Sequence, residues 1–379
     1  MKKLVFCFIL AATVFVNALG VGAFAAPSMA GISAKAAVLI DAQTGRIICA
    51  KNEHAVLPMA STTKIMTTLL MLESGNLDEE FVVDNNAIKV EGSSMGLTEG
   101  DIVTKRALCY GMMLPSGNDA ANCTAIKLAG SYETFADMMN RRASEIGMKS
   151  THFVTPSGLH DKNHYSTAYD MSLLTREALK NDDFREICST TSAKLKYGNP
   201  PYDRWLTNSN KLLNMYPGCI GVKTGFTDEA GRCLVSAVEK DGITLICVTL
   251  KASDDWNDHI EMYDYGFSVV KKYELLYDNN INQDVVGGNT DSFRLIASEI
   301  PACTAVNNDL PDYDYEIVKK TFVYAPVKEG DIVGEINFYS DGELLESVDL
   351  LAESNVDAVI DKPDKSLYNR IIDFLKQYL

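Results

Sequence analysis

The spacing of hydrophobic residues changes several times along the chain and predicts the order of its secondary structure. Apolar runs at 36–40 and 46–50 flank a polar turn and predict two strands. Three further strands are predicted at 221–223, 233–239 and 243–250. Helical periodicity covers 61–74, 106–130 with a break at 115–117, 169–181 and 259–276. Strands at both ends of a helical middle predict an α+β domain with one antiparallel sheet.

The pattern changes again near 277–280, where short alternating segments replace the helical periodicity. Asp341-Gly342 lies between two of these segments, and this dipeptide is a strong hairpin signal. The sequence therefore predicts a domain at 27–277 followed by a small all-β domain at 278–362.

The last segment, 363–379, repeats apolar residues at helical spacing but is too short to span a bilayer. We assign it as an amphipathic helix that anchors the chain to the membrane surface. The alternative is a terminal helix that docks on the chain's own β domain.

The first 26 residues have the composition of a targeting segment. Lys2 and Lys3 precede an apolar run at 4–19, and small residues follow at 23–26. This order predicts a secretory signal peptide at 1–26, with a buried N-terminal helix as the alternative. The signal peptide predicts export, and together with the C-terminal helix it predicts peripheral attachment at the outer face of the cytoplasmic membrane.

Charge and cysteine content exclude some classes of function. The formal charge of the 379-residue chain is -16, which argues against a nucleic-acid partner because phosphate binding needs clustered cations. Nine cysteines are present, and Cys7 lies in the predicted signal peptide. The others lie mostly in apolar runs without a C-x-x-C pair, so we predict buried free thiols and no zinc or thioredoxin-like site.

Ser61-Thr62-Thr63-Lys64 stands at the start of a predicted helix. Residues three apart lie on one helical face, so the Ser61 hydroxyl and the Lys64 amine can meet. Apolar residues follow Lys64, and burial is expected to lower the pKa of its amine so that it can act as a base. Backbone N–H groups at the helix N-terminus can stabilise a developing oxyanion.

Two further motifs follow in order. Ser116-Gly117-Asn118 lies in a predicted turn between helices, where its polar side chains can point into a cleft. Lys223-Thr224-Gly225 occurs once, on a predicted strand, and offers a second positive charge, a hydroxyl and close backbone approach.

Each short pattern is weak alone because similar ones occur elsewhere. We interpret Ser268-Val269-Val270-Lys271 as exposed helical surface and Ser74-Gly75-Asn76 as the end of a helix. His160 and His164 lie four residues apart, but Gly158 and nearby proline favour hydrogen bonding in a loop over a zinc helix. The order of the three motifs therefore carries the functional prediction.

In this order the motifs resemble those of class A β-lactamases and penicillin-binding proteins. The chain resembles more narrowly the serine D-alanyl-D-alanine carboxypeptidases, the low-molecular-mass penicillin-binding proteins with a C-terminal β domain. Four further matching segments extend the resemblance over nearly the whole mature chain: 92–97, 114–121, 163–170 and 324–330. The resemblance implies a β-lactamase/transpeptidase-like catalytic domain with a helical lobe, and removal of the terminal D-alanine from peptidoglycan stem peptides.

The resemblance also implies catalytic roles. Ser61 attacks the carbonyl between two D-alanines after Lys64 takes its proton. Ser116 relays a proton to the leaving amine with help from Lys223. Water then releases the acyl-enzyme, and β-lactam antibiotics acylate Ser61 as covalent inhibitors.

The substrate-binding residues follow from the same resemblance. Asn118 holds the substrate amide, and Thr224, Gly225 and Phe226 complete the site with Lys223. The oxyanion lies between the N–H groups of Ser61 and Phe226. No metal or other cofactor is implied.

One segment departs from the resemblance. Many relatives carry an arginine for the substrate carboxylate after the last strand of the catalytic sheet, and residues 253–259 contain none. Lys223 and Thr224 would then do more of this work, or His259 would assist. We favour the alternative that Trp256 and His259 pack the following helix.

Two other functions compete with the carboxypeptidase. A β-lactamase shares the acylation chemistry, but the sequence identifies no acid for a deacylating water. A penicillin-binding sensor stays acylated, but such sensors usually follow a transmembrane segment, and no mature stretch reaches about 18 apolar residues.

Overall fold

The computed structural model describes residues 29–359 and 365–378, so the predicted signal peptide and Leu379 lie outside the described residues. The first part of the chain forms an α+β domain. Its strands are β1 (Ala36–Asp41), β2 (Ile47–Lys51), β3 (Glu80–Val82), β4 (Ile102–Thr104), β5 (Ser192–Gly198), β6 (Pro201–Thr207), β7 (Cys219–Thr227), β8 (Gly231–Lys240), β9 (Ile243–Ala252) and β10 (Val270–Glu274). Its helices are α1 (Lys64–Glu73), α2 (Lys105–Met113), α3 (Asn118–Ala129), α4 (Tyr132–Ile146), α5 (Ala168–Ala178), α6 (Asp182–Ser189), α7 (Leu212–Met215) and α8 (Asp255–Val269).

The central sheet has the order β2-β1-β9-β8-β7, with antiparallel pairing throughout. It is covered on both faces because β1 is apolar at successive positions. Ala36, Val38 and Ile40 pack with the helical lobe, whereas Ala37 and Leu39 pack on the face that α8 covers. Successive side chains of a strand point to opposite faces, so both faces of β1 are buried. The predicted α+β class is confirmed, and in addition to the predicted central antiparallel sheet the domain has two two-stranded sheets, β3-β4 and β5-β6.

Strand β7 lies at one edge of this sheet, against a short 3₁₀ helix, Ala60–Thr63. The sequence predicted an α-helix from Ser61, but the α-helical part begins only at Lys64. Ala60 has a φ of 48°, which a residue with a side chain rarely adopts, and this conformation interrupts regular helix geometry before Ser61. The edge strand and the 3₁₀ helix therefore face each other directly.

The predicted helix at 259–276 is too long. Helix α8 ends at Val269, and Val270–Glu274 forms β10, which pairs with Ala302–Val306. The β-branched pair Val269-Val270 favours extended backbone, and the partner strand is distant in sequence. Local helical periodicity therefore could not locate this boundary.

The remaining described strands form the all-β part of the chain. They are β11 (Ile281–Val286), β12 (Ser292–Ala297), β13 (Ala302–Val306), β14 (Asp314–Lys319), β15 (Phe322–Tyr324), β16 (Ile332–Ser340) and β17 (Glu343–Ala352). Six of them make a sheet of order β14-β16-β17-β12-β11-β15. Asp341 and Gly342 connect β16 to β17 with φ values of 52° and 81°, as a type I′ hairpin turn requires.

The turn between β1 and β2 joins the two parts. The Nε2 atom of Gln43 donates to the carbonyl oxygen of Ala302 (3.0 Å) and to Oε2 of Glu346 (2.7 Å), and its Oε1 accepts from the Thr304 amide. The buried Asp41 accepts hydrogen bonds from Thr44 and from the Thr304 hydroxyl. A single turn is thus hydrogen-bonded to two strands of the all-β part, β13 and β17.

Helix α9 (Lys365–Gln377) follows, and the predicted C-terminal helix is confirmed. Over the described ranges, no helix combines the length and the apolar character needed to cross a bilayer. The eight cysteines from Cys49 to Cys303 are free, and all but Cys219 are buried, as the sequence predicted.

Candidate active site

The side chains of Ser61 and Lys64 meet at the junction between the 3₁₀ helix and α1. Lys64 Nζ lies 2.8 Å from Ser61 Oγ. Lys64 is fully buried, and Nζ also donates to Oδ1 of Asn118 (2.8 Å) and to the carbonyl oxygen of Ser157 (2.7 Å). Two residues distant in sequence, Asn118 and Ser157, therefore fix the amine beside the hydroxyl.

The electrostatic surroundings of Lys64 favour its neutral form. Burial holds the pKa of Lys64 well below its usual range, and the positive charge of Lys223 acts in the same direction. The carboxylate of Asp119 opposes both effects. A buried amine of low pKa can accept a proton from a hydroxyl at neutral pH, which is the property that a general base needs.

Ser116 and Asn118 come from the tight connection between α2 and α3. Ser116 has a φ of 66°, an uncommon conformation for a residue with a side chain, and such strained residues cluster at functional sites. Asn118 begins α3, and its Nδ2 donates to the carbonyl oxygen of Glu91 (2.7 Å) while Oδ1 accepts from Lys64. The amide is thus held between the base and the loop at 91–97.

Asp119 organises that loop, a role that the sequence did not predict. Its buried carboxylate accepts from the backbone amides of Met95 (3.0 Å), Gly96 (3.1 Å) and Leu97 (3.0 Å) and from the Ser94 hydroxyl (2.6 Å). An acid in the first turn of a helix usually interacts with the helix itself, so sequence gave no signal for these partners.

The strand β7 closes the opposite side of the site. Lys223 is buried, its Nζ donates to the carbonyl oxygen of Thr224 (2.8 Å), and burial lowers its pKa to about 7. The Thr224 hydroxyl is 2.8 Å from Ser209 Oγ. At Gly225 an added Cβ atom would lie 3.0 Å from the Ser61 amide nitrogen, so the absence of a side chain permits the close approach of β7 to Ser61.

The predicted site residues come together around one cavity of about 700 Å³. Six of them line it: Ser61, Ser116, Asn118, Thr224, Gly225 and Phe226. Lys64 and Lys223 are buried behind this lining. Within the described residues, no group of three or more histidine, cysteine or acidic side chains is arranged to hold a metal ion.

Three lining residues on the α8 side were not predicted together. Arg232, Asp255 and Trp256 line the cavity, and Arg232 Nε donates to Oδ1 of Asp255 (2.8 Å). From the sequence, Trp256 was predicted only to pack the following helix, and no role was predicted for Arg232. Arg232 follows Lys223 by one hairpin, so strand pairing rather than a motif brings it to the site.

His259 lies away from the cavity, as we favoured. It is fully buried, and its ring nitrogens contact Ser236 Oγ (2.6 Å) and Thr249 Oγ1 (2.9 Å) on the sheet beneath α8. Burial lowers its pKa to about 3, so this imidazole is neutral and packs the helix.

The loop interpretation of His164 and the interpretations of the two similar serine patterns hold, except that Lys271 is not helical. His164 accepts from the amides of Val154 and Thr155 and contacts Thr63 Oγ1 at 2.7 Å, whereas His160 is exposed. Ser268 and Lys271 are exposed, and Ser74 lies at the C-terminal end of α1. Lys271 is in β10 rather than in the helix, but both residues lie on the surface.

The fold and two family matches define this chain as a serine peptidase. Residues 23–254 match the family model of D-alanyl-D-alanine carboxypeptidase, and residues 271–358 match that of the penicillin-binding protein 5 C-terminal domain. The chain belongs to the D-alanyl-D-alanine carboxypeptidase family, and the predicted resemblance is confirmed.

Individual relatives agree over most of the chain. The D-alanyl-D-alanine carboxypeptidase DacF of Bacillus subtilis is 34% identical over 334 residues, which are 85% of this chain and 86% of that protein. DacC of Escherichia coli is 30% identical over 91% of this chain and 88% of its own length. The crystal structure of the D-alanyl-D-alanine carboxypeptidase DacD from Francisella tularensis superposes with a TM-score of 0.61 at 26% identity, covering 86% of this chain and 94% of that one.

Proposed function

We propose that this enzyme removes the terminal D-alanine from peptidoglycan pentapeptide stems through an acyl-enzyme on Ser61. The observation that carries the proposal is the contact of 2.8 Å between Ser61 Oγ and the buried amine of Lys64. Family membership supports the substrate class, since the matching relatives are D-alanyl-D-alanine carboxypeptidases.

In the first half of the reaction, Ser61 Oγ attacks the carbonyl carbon between the two D-alanines while its proton passes to Lys64. The tetrahedral oxyanion accepts hydrogen bonds from the backbone N–H groups of Ser61 and Phe226. The C–N bond then breaks, and the proton taken by Lys64 is relayed by Ser116, with the help of Lys223, to the leaving amine, so that Lys64 is neutral again. Free D-alanine departs, and the shortened peptide stays esterified to Ser61.

In the second half, water attacks the ester carbonyl and gives a proton to Lys64. The C–O bond to Ser61 breaks, the hydroxyl regains a proton, and the carboxylic product leaves. Asn118 positions Lys64 and binds the substrate amide, while Thr224 and Gly225 line the path of the peptide beside β7. A β-lactam antibiotic acylates Ser61 by the same attack, because its ring amide takes the place of the scissile bond.

The test measures free D-alanine released from a pentapeptide that ends in D-Ala-D-Ala, together with covalent labelling by a fluorescent penicillin. The purified full chain should release D-alanine and take up the label, and Ser61→Ala should do neither. Ser268→Ala is the matched control, since Ser268 has the same Ser-x-x-Lys spacing but lies on the surface.

The same assay separates the competing functions. Labelling without release of D-alanine would reject the carboxypeptidase and favour a sensor that remains acylated. Rapid hydrolysis of penicillin without release of D-alanine would favour a β-lactamase.

We also propose the cellular placement and the division of the chain. Residues 1–26 act as a signal peptide, 27–277 as the catalytic domain, 278–362 as the β domain and 363–379 as a membrane-surface anchor. The exported enzyme is then attached peripherally at the outer face of the membrane, near the cell wall. Support comes from α9, whose large apolar side chains are exposed: Leu367, Tyr368, Ile371, Phe374 and Leu375.

Flotation with anionic liposomes tests the anchor. The chain with residues 365–379 should float with the vesicles, and the chain without them should stay in the lower fractions. Equal flotation of the two would reject the anchor. A leucine-to-serine change at both Leu367 and Leu375 keeps the helix charge and should also reduce flotation.

A further inference from the structure

The cavity beside Ser61 contains one cationic side chain among its described lining residues, Arg232. This arginine is the second residue of β8 and pairs with Phe226 on β7. The chain as a whole carries a formal charge of -16, so an anionic ligand needs a local cation to enter the site. Lys64 and Lys223 are buried behind the lining, which leaves Arg232 as the cation that faces the cavity.

Strand pairing places Arg232 on the same face of the sheet as Thr224. Thr224 pairs with Leu234, and Arg232 lies two residues from Leu234 on β8, so Thr224 and Arg232 are on the same face of the sheet. Such diagonal neighbours lie about 7–8 Å apart between their Cα atoms, within reach of a long side chain. A carboxylate has two oxygens and can bridge a hydroxyl and a guanidinium at this separation.

A bulge occurs in the neighbouring strand at the same level. The register between β8 and β9 shifts between Arg232 and Leu234, and Lys251 on β9 has a φ of 55°. Bulges increase the local twist of a sheet and re-aim side chains, often beside active sites. The bulge therefore separates the start of β8, where Arg232 lies, from the regular sheet that follows.

The guanidinium of Arg232 is held in place by Asp255. Its Nε donates to Oδ1 of Asp255 over 2.8 Å, and Nη2 donates to the same oxygen. Asp255 is only 4% exposed in its side chain and also accepts from the Trp256 amide, so it is a fixed anchor at the start of α8. The Trp256 ring lies 5.7 Å from Arg232 Cζ and adds a cation–π contact.

These contacts leave donors for a ligand. A guanidinium has five N–H donors, and Asp255 takes two of them; the other three have no partner among the described residues. The Arg232 side chain is 43% exposed, which permits contact with a molecule in the cavity. An arginine fork that is anchored on one edge and open on the other is suited to bind a carboxylate.

We propose that Arg232, held by Asp255 and Trp256, binds the terminal carboxylate of the substrate together with the Thr224 hydroxyl. The inference rests on the proposed function and assigns the substrate group that this subsite recognises. It supplies the cation that residues 253–259 lack. The enzyme would thereby select peptides with a free C-terminal carboxylate over those whose C-terminus is uncharged.

The test compares two thioester substrates that differ only in charge. One is an N-acyl-D-alanyl thioester of thioglycolic acid, and the other is the thioester of its methyl ester. Release of thiol gives kcat/KM for each. The wild-type chain should prefer the carboxylate, and Arg232→Gln should lose about 10- to 100-fold on the carboxylate substrate with little change on the ester. Arg232→Lys keeps the charge without the fork and should give an intermediate loss.

The controls separate the two proposals. Arg294→Gln removes an exposed arginine of the β domain and should alter neither rate. If the wild type turns over neither substrate, the proposed function fails. If the wild type is active but does not prefer the carboxylate, or Arg232→Gln loses equally on both substrates, the assignment of Arg232 is wrong. Activity of Arg232→Gln on the ester also shows that the variant has folded.

Discussion

The amine of Lys64 lies 2.8 Å from the hydroxyl of Ser61 and has two further acceptors, Asn118 Oδ1 and the carbonyl of Ser157. An ammonium has three N–H donors, enough for all three contacts. A neutral amine donates to two of them and keeps a lone pair for the third. Because Asn118 and Ser157 offer acceptor oxygens, that lone pair faces Ser61, the one partner with a proton to give. The geometry thus directs the lone pair of neutral Lys64 to the proton of Ser61.

Replacing Lys64 with arginine tests whether its loss of a proton matters. Arginine stays charged in proteins, so Lys64→Arg places a permanent positive charge at this position and removes the base. We expect acylation of Ser61 by fluorescent penicillin to slow by about 10²- to 10⁴-fold, the range typical of general-base catalysis. The measurement is the rate constant for labelling of the wild type and of Lys64→Arg, after thermal unfolding has shown that the two are equally stable. A loss below tenfold would show that a permanent cation can replace Lys64 and that general-base catalysis by this residue is not required.

Lys223 makes the folded state sensitive to pH. Its pKa is lowered from 10.5 to about 7 by burial, so between these values the unfolded chain binds more protons than the folded chain. The contribution of Lys223 to the free energy of unfolding therefore decreases as the pH falls from 10.5 toward 7. Lys223→Met removes this effect, and we expect it to be more stable than the wild type near neutral pH, by on the order of 2–4 kcal/mol.

Urea unfolding at about pH 7 and about pH 9.5 measures this difference. The gain in stability from Lys223→Met should shrink at the higher pH, while release of D-alanine should fall at both. Lower stability of the variant at neutral pH would mean that the hydrogen bond from Lys223 to the carbonyl of Thr224 outweighs the cost of burial. A stabilised but less active variant is the pattern expected for a strained catalytic group.

Asp119 links the loop at 94–97 to the site. Asp119→Asn puts an NH₂ group where a carboxylate oxygen accepts from backbone amides, so at least one donor loses its acceptor. We expect a loss of about 3 kcal/mol in the free energy of unfolding. We also expect slower acylation, because the adjacent residue in the same helical turn, Asn118, holds Lys64 in place. Asp203→Asn is the control: its ion pair with Lys194 is exposed, and no measurable loss is expected. Equal effects of the two variants would contradict the role of Asp119.

The sequence allowed prediction of the residues that form a motif and missed those that reach the site through tertiary structure. The three ordered motifs contain both buried lysines and five of the six predicted lining residues; the sixth is Phe226. The strands β1, β2, β8 and β9 were predicted directly from apolar runs. Arg232 carried no signal, because its place depends on the pairing of β7 with β8. Asp119 carried none because its partners are 22 to 25 residues away.

The same limit explains the errors in secondary structure. Periodicity extended α8 through residues 270–274, whose strand conformation depends on pairing with Ala302–Val306. The 3₁₀ helix at Ser61 depends on the φ of 48° at Ala60, and a conformation that surrounding structure imposes leaves no pattern in the sequence.

Gly158 provides a test of the packing around the Ser61–Lys64 pair. Its φ is 84°, and a Cβ atom added there would lie 1.9 Å from the carbonyl oxygen of Ala60 and 2.8 Å from Thr63 Oγ1. Both atoms belong to the 3₁₀ helix that carries Ser61, and the preceding residue, Ser157, accepts the hydrogen bond from Lys64. Gly158→Ala must therefore displace either the nucleophile or the acceptor that fixes its base.

Gly75 is the matched control for this variant, since its φ is 65° and an added Cβ would have no atom within 4 Å. Gly75→Ala pays only for the backbone conformation, about 1 kcal/mol, and should label with penicillin at the wild-type rate. Gly158→Ala should lose more stability and most of its labelling. Thermal unfolding and labelling rates of the two variants provide the measurement. If Gly158→Ala labels as fast as Gly75→Ala, the close contact with Ala60 is not needed to position Ser61.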